Sequence, residues 1–268
     1  MWGGAEDERM NKSKVFYDNP YLVYAFSLLL FFGGWFFLAS RTTPLFFPSP
    51  LLVLRAFQEM IKDGSLWGHI QISLFRILTG WAIGSGLGIP LGLLMGDVRF
   101  FRNMLNPYIQ FFRFIPPISF VTLSLIWFGM GETSKIILII YTTIFLVTVN
   151  TIAGVMSVNP IHEQGARCLG ANRVKIFTRV IFPSTIPFLL TGMRLAMGNS
   201  FMTIVSAEMI AAEKGLGFLI FTSRLFMQTE RIFVGIVTLG ILGFIVDALF
   251  RFVMQKFARP YLFFFKEK

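Results

Sequence analysis

The chain has little of what most polar chemistry needs. A single cysteine, Cys168, among 268 residues excludes an intramolecular disulfide and any all-cysteine metal site. Only two histidines occur, His69 and His162, far apart and in no H-E-x-x-H arrangement, so metal chemistry is not suggested. Charged residues make up 14%, where a soluble domain carries about 25%. The nearest glycine-rich string, Gly129-Met130-Gly131-Glu132-Thr133-Ser134-Lys135, lacks the Gly-Lys-Ser/Thr ending of a phosphate loop. The N-terminal stretch does not read as a cleavable signal. A polar stretch to Asn19 precedes the apolar run Tyr21–Ala39, and Arg41 follows where small residues would mark cleavage, so that run reads as a retained first span.

What is present is apolar surface: 55% hydrophobic residues and a mean hydropathy of +0.69. Such a chain needs an apolar solvent, and its length suits one bundle in a bilayer. The formal charge of +10 does not point to nucleic acid, because the basic residues sit between apolar runs rather than in a stripe on a polar domain. A helix of about 20 residues crosses the hydrocarbon core. Six predicted spans satisfy this, at about 21–39, 70–96, 105–128, 135–156, 184–210 and 232–254. Pro48-Ser49-Pro50 opens a mixed helical stretch, Leu51–Lys62, expected on the membrane surface, and Lys214–Met227 reads as a short re-entrant or interfacial helix.

Placing the N-terminus inside puts thirteen Lys and Arg on the inner side and seven on the outer. Both termini inside is therefore the expected orientation. The resulting division is an inner N-terminal segment over 1–20, a membrane domain over 21–256 whose inner loop spans about 157–183, and an inner tail over 257–268.

Within the second span Gly80, Gly84, Gly88, Gly92 and Gly96 recur every fourth residue, which predicts a stripe where another helix backbone approaches closely. Pro90 within it removes a backbone donor and predicts a bend. Arg76, Arg113, Arg194, Glu208, Asp247 and Arg251 fall in or near spans, where a charge costs about 2.5–3.5 kcal/mol on insertion scales. Asp247 and Arg251, four apart, are expected to pair locally, and Arg76, near the outer boundary, to snorkel as readily as to function. Arg113 precedes Pro116-Pro117, where the span must break and free backbone carbonyls. Arg194 lies roughly 16 Å beyond Pro183, near mid-membrane. Arg113 and Arg194 are thus candidates to line an anion path with Pro116, Pro117 and Glu208; the competing expectation is a structural pairing with Glu208 or backbone. The 33 phenylalanines are expected in lipid contact and packing.

The inner loop has its own local logic. Pro160 suits a helix start, Glu163 in the first turn complements the helix dipole, and Gly170 breaks the short helix before a second amphipathic stretch reaches Pro183. The prediction is a helix–turn–helix with small residues on an approachable surface. Ala166-Arg167-x-Leu169-Gly170, with Pro183 thirteen residues after the glycine, is similar to the EAA motif of binding-protein-dependent ABC importer permeases. The motif's first three positions fall on Gln164, Gly165 and Ala166. Two of these depart from Glu-Ala-Ala, and Glu163 stands one position early; Gly170, Val180 and Pro183 fit.

Further strings resemble the nitrate/sulfonate/taurine type of that family. They are Leu66-Trp67-Gly68-His69 with Ser73-Leu74-x-Arg76, Gly88-Ile89-Pro90-Leu91-Gly92, and Arg113-x-x-Pro116-Pro117. Trp127-Phe128-Gly129-x-Gly131-Glu132-x-Ser134-Lys135 and Ala207-Glu208-Met209-Ile210 with Gly215-Leu216-Gly217 complete the series, in the family's order.

The resemblance implies an all-α fold of about six transmembrane helices with a cytoplasmic coupling loop, in the cell inner membrane. It implies a permease without enzymatic activity and without a cofactor of its own. ATP and magnesium would be bound by two partner ATPase subunits gripping Glu163, Gln164, Gly165, Ala166, Gly170 and Pro183. A second permease copy would complete the path and an extracytoplasmic binding protein would deliver a small anion. Taurine or another sulfonate is favoured from the Gly131–Lys135 and Ala207–Gly217 strings; nitrate, bicarbonate and vitamin precursors stay open. The rival reading is a stand-alone secondary transporter or channel, and no convincing inverted repeat supports it.

Overall fold

The computed structural model describes residues 20–262; of Ala211 and of residues 257–262 only the backbone is described. The N-terminal segment 1–19 and Phe263-Phe264-Phe265, with the basic residues at both extremities, lie outside the described residues. Among the described residues there are helices and no strands. They are α1 (Pro20–Ser40), α2 (Pro50–Lys62), α3 (Ser65–Asp97), α4 (Arg99–Phe112), a 3₁₀ turn (Pro117–Phe120), α5 (Val121–Phe128) and α6 (Glu132–Met156). There follow α7 (Pro160–Cys168), α8 (Arg173–Ile176), a π-helical turn (Phe177–Ile181), α9 (Phe182–Ala211), α10 (Leu216–Leu225) and α11 (Thr229–Leu262). Five helices are long and apolar enough to cross a membrane, or six when the pair α4 and α5 is taken as one broken span.

The centre of the bundle is the pair α3 and α6, which run parallel. The glycine stripe explains their closeness. A Cβ on Gly80 would stand 2.6 Å from that of Ile139, one on Gly84 2.6 Å from Thr143, and one on Gly96 2.5 Å from Val155. Gly88 and Gly92 face Val147 and Thr151 in the same register. Each step of four along α3 meets a step of four along α6, so the predicted stripe is a groove filled by β-branched side chains. In lipid, where apolar burial gives no advantage over the tails, such contact is what holds helices together. Thr148 adds a bond across the pair, its hydroxyl donating to the Gly88 carbonyl at 3.2 Å. α9 packs against both α6 and α3, with Thr143 and Ser200 sharing a buried hydrogen bond of 3.2 Å and Gly192 admitting Asn150.

Several expectations change in detail. The third span, expected as one helix over 105–128, begins at Arg99 and is broken, with its halves bent by 89°. Prolines are the cause: Pro116 and Pro117 cannot donate, and the residue before a proline avoids helical backbone. Pro90, by contrast, sits within a helix that continues to Asp97. The last helix extends to Leu262, past the expected limit of the span at 254. Leu51–Lys62 is indeed helical, begun by Ser49, whose hydroxyl accepts from the Leu52 N–H, and it buries Val53, Ala56 and Met60. α10 packs against α9, α11 and α3, with Leu216 and Leu219 buried.

Candidate functional site

Three arrangements account for the charges and the loop. At the end of the bundle where α6 passes to α9, the loop is built as its sequence directs. Asn159 starts α7 by accepting from the Ile161 N–H, with Pro160 in the first turn. Gly170 ends it at φ +76°, a left-handed conformation that favours glycine. The Ala171 N–H then reaches Ala166 O at 3.0 Å and the Gly170 N–H reaches Arg167 O at 2.9 Å, the paired bonds that close a helix C-terminus. Asn172 starts the next turn by accepting from Lys175 N–H.

Ala166 packs inward against Val155, Ile176 and Ile181, so it ties the loop to the bundle. Outward stand Ile161 (68% exposed), Val174 (68%) and Leu169 (90%), apolar side chains with no cover. Gln164 and Gly165 are exposed as well, and a Cβ on Gly165 would meet nothing within 4 Å. Glu163 makes only a weak pair with Arg167, at 3.9 Å. Arg173 reaches across to Asp97 at the end of α3, 3.2 Å away.

At the opposite end lies a buried ionic cluster. Arg76 is almost fully buried and does not snorkel. Its Nε and Nη2 donate to Glu132 at 2.5 and 2.7 Å, and its Nη1 donates to Glu208 at 2.8 Å and to Lys214 O at 2.8 Å. Glu208, wholly buried, also accepts from the Ser73 hydroxyl at 2.8 Å and the Gly217 N–H at 2.9 Å. Gly215 lies so close that a Cβ there would collide with the Glu208 carboxylate. Lys135 donates to the Met130 and Gly131 carbonyls. Two carboxylates and two cations thus clamp α3, three turns from its start, to the start of α6, the end of α9 and the start of α10. A charge pair buried this deeply persists because each nitrogen of Arg76 and each carboxylate oxygen of Glu208 has a hydrogen-bond partner. Arg194 is not paired with Glu208. It makes a two-bond contact with Asp247, at 2.6 and 2.9 Å, and Asp247 also takes the expected Arg251 at 3.1 Å.

The third arrangement is the break between α4 and α5. Tyr141 satisfies the freed carbonyls, its hydroxyl donating to Phe112 O at 2.5 Å with Ile115 O at 3.3 Å. A cavity of about 330 Å³ opens there, lined by Arg113, Pro116, Pro117, Tyr141, Asn150 and Asn199. Arg113 lies 4.7 Å from the Phe114 ring and has no ion-pair partner among the described residues. Of the candidate path residues, then, the structure brings Arg113, Pro116 and Pro117 together and places Arg194 and Glu208 elsewhere. Tyr141, Asn150 and Asn199 were missed by sequence reasoning; their only signal was a polar residue on the α6 and α9 faces opposite the break.

Parallel helices packed through glycines, a broken span and a loop with exposed apolar side chains between α6 and α9 make a polytopic membrane bundle. The chain belongs to the family described as binding-protein-dependent transport system inner membrane component, whose pattern it matches over residues 88–259. It is 40% identical over 217 residues to a probable ABC transporter permease protein of Brucella melitensis, covering 81% of this chain and 88% of that one. It is 38% identical over 220 residues to the taurine transport system permease protein of Escherichia coli, covering 80% of each. A nitrate import permease protein of Leptolyngbya laminosa is 30% identical over 72% of this chain and 70% of its own. Among solved structures, an inward-facing form of the MetNI methionine ABC transporter superposes with a TM-score of 0.60 at 16% identity. It covers 73% of this chain and 95% of the matched chain, a likeness of fold. The protein is a multi-pass ABC importer permease of the inner membrane, a transport subunit and not an enzyme.

Proposed function

We propose that this permease forms the translocation path for a small organic or inorganic anion, with taurine and related alkanesulfonates first and nitrate, bicarbonate or a vitamin precursor next. One observation carries the anionic preference: Arg113 is a cation without a carboxylate partner among the described residues, on a cavity at the break of a span. A membrane-embedded charge is costly unless it meets water, a partner or a ligand. The names of the relatives agree, since a taurine, an aliphatic sulfonate and a nitrate permease all handle oxyanions.

The partners follow from the loop. Ile161, Leu169 and Val174 form an exposed apolar tip suited to a groove in an ATPase subunit, and Gly165 lets that surface come close. Two such subunits would bind ATP and magnesium, a second permease copy would close the path, and a binding protein would deliver substrate at the end carrying the ionic cluster. With the loop cytoplasmic, both termini are cytoplasmic. Nucleotide-driven closure would move α7 as a lever, because its inner face is packed through Ala166 onto Val155, Ile176 and Ile181. Reconstituted vesicles carrying permease, ATPase and binding protein test this. ATP-dependent uptake of labelled taurine, competed by other alkanesulfonates, is expected. Uptake of a cation or an uncharged solute in preference to any anion refutes the reading.

A further inference from the structure

α4 has three distinct faces. At 100° per residue, Arg99, Arg102, Asn103, Asn106, Gln110 and Arg113 fall within an arc of about 100°. Phe100, Met104 and Phe111 occupy a second arc and are exposed, Phe100 by 67%. Phe101, Leu105 and Ile109 form the third, turned toward the bundle, with Ile109 buried. The polar arc holds no carboxylate. None of its three arginines has an ion-pair partner among the described residues, whereas Arg76, Arg194 and Arg251 all do.

α4 does not lie flat on the membrane. Arg99 and Arg102 share a cavity of about 780 Å³ with Met156, at the loop end of α6, where Arg167 and Arg173 outweigh the carboxylates of Asp97 and Glu163. Phe112 is bonded to Tyr141, fifteen residues back along α6 and so roughly 22 Å higher. The fourteen residues of α4 cover about the same rise. Beyond Arg99 and Arg102 at the loop end, Asn103, Asn106, Gln110 and Arg113 are thus carried into the membrane, where Arg113 against lipid would cost about 2.5–3.5 kcal/mol. Water along the arc removes that cost, and both of its ends already open on cavities.

We infer that the polar face of α4 is the wall of a water-filled inner vestibule through which a small anion leaves. It connects the cavity at the span break to the mouth beside the coupling loop. Arg113 holds the anion at the break, the amides of Asn106, Gln110 and Asn103 replace part of its hydration, and Arg102 and Arg99 draw it to the mouth. Amide donors bind an anion weakly, and that is what lets it leave. The vestibule rests on the anion-permease reading for its cargo, but not for its water.

Thiol accessibility tests it in inverted vesicles containing the assembled transporter, with Cys168→Ser removing this chain's only thiol and labelling read on the permease band alone. Single replacements Asn103→Cys, Asn106→Cys and Gln110→Cys are compared with Phe100→Cys, Met104→Cys and Phe111→Cys at equal assembled levels. The probes are membrane-impermeant methanethiosulfonates, one bearing a sulfonate and one a trimethylammonium group. The polar arc should react at least ~10-fold faster than the apolar arc, with the anionic reagent preferred at Asn106→Cys and that preference falling several-fold on adding Arg113→Gln. Equal rates on both arcs, a polar arc protected because a second copy covers it, or indifference to reagent charge would each overturn the inference. An accessible, anion-preferring arc in a transporter that takes up no anion keeps the vestibule and refutes the proposed substrate. Normal taurine uptake with a protected arc removes the vestibule alone.

Discussion

Replacing Glu208 by alanine removes one acceptor that serves three donors at once: the Ser73 hydroxyl, the Arg76 guanidinium and the Gly217 N–H. All lie where Glu208 is fully buried and Arg76 is 2% exposed. Removing one member of a buried pair costs about 3–5 kcal/mol, because the other charge is left uncompensated. Here Glu132 still holds Arg76 through two bonds, so the lower end, about 3 kcal/mol, is expected. Glu132 is 45% exposed and its loss, softened by water, should cost about 1 kcal/mol or less. The assay is equilibrium unfolding of the purified permease in mixed micelles, run as a double-mutant cycle with Arg76→Met and Glu208→Leu. The double variant should be more stable than the sum of the singles by at least ~1 kcal/mol, since each single strands a partner that the double removes. Strict additivity, or a Glu208→Ala cost below about 1 kcal/mol, refutes the account of this cluster as the clamp of the helices at the end opposite the loop.

Gly84→Val drives a branched side chain into Thr143 and should destabilise the bundle by about 1–3 kcal/mol or prevent assembly, whereas Gly86→Val, with open space around it, should be near neutral; the same unfolding assay reads both. Gly170→Val places a β-branched residue at φ +76° and should uncouple transport, seen as loss of substrate-stimulated ATP hydrolysis at unchanged membrane levels of the permease. Arg113→Gln should reduce anion uptake at least ~10-fold if its charge serves the path, while Arg194→Gln should act chiefly on stability, by about 1 kcal/mol, because its charge is answered by Asp247. Equal uptake losses at confirmed assembly would remove the distinction between the two arginines.

The strings that suggested the taurine branch acquire a different meaning from the structure. Glu132 and Lys135 belong to one, Glu208, Gly215 and Gly217 to the other, and together with Arg76 they build the ionic clamp. Neither string lines the cavity at Arg113. Their likeness to relatives therefore reflects how the helices are joined at the end opposite the loop. Arg194 shows the same limit: its partner on another helix, Asp247, was not legible in the sequence.

Composition and apolar run lengths by themselves determined that the chain is a helical bundle, because a backbone in lipid must satisfy its own hydrogen bonds and a helix does so within one segment. Local chemistry determined the break at Pro116-Pro117, the glycine stripe of α3 and the caps of the loop, since each depends on residues within a turn or two. Only the tertiary structure decided which charge meets which, that Ala166 faces inward while Leu169 faces out, and that α4 bears a polar wall between two cavities. Those outcomes depend on side chains far apart in the chain, such as Arg76 and Glu208, meeting at one depth, and a periodicity of 3.6 does not encode which helices become neighbours.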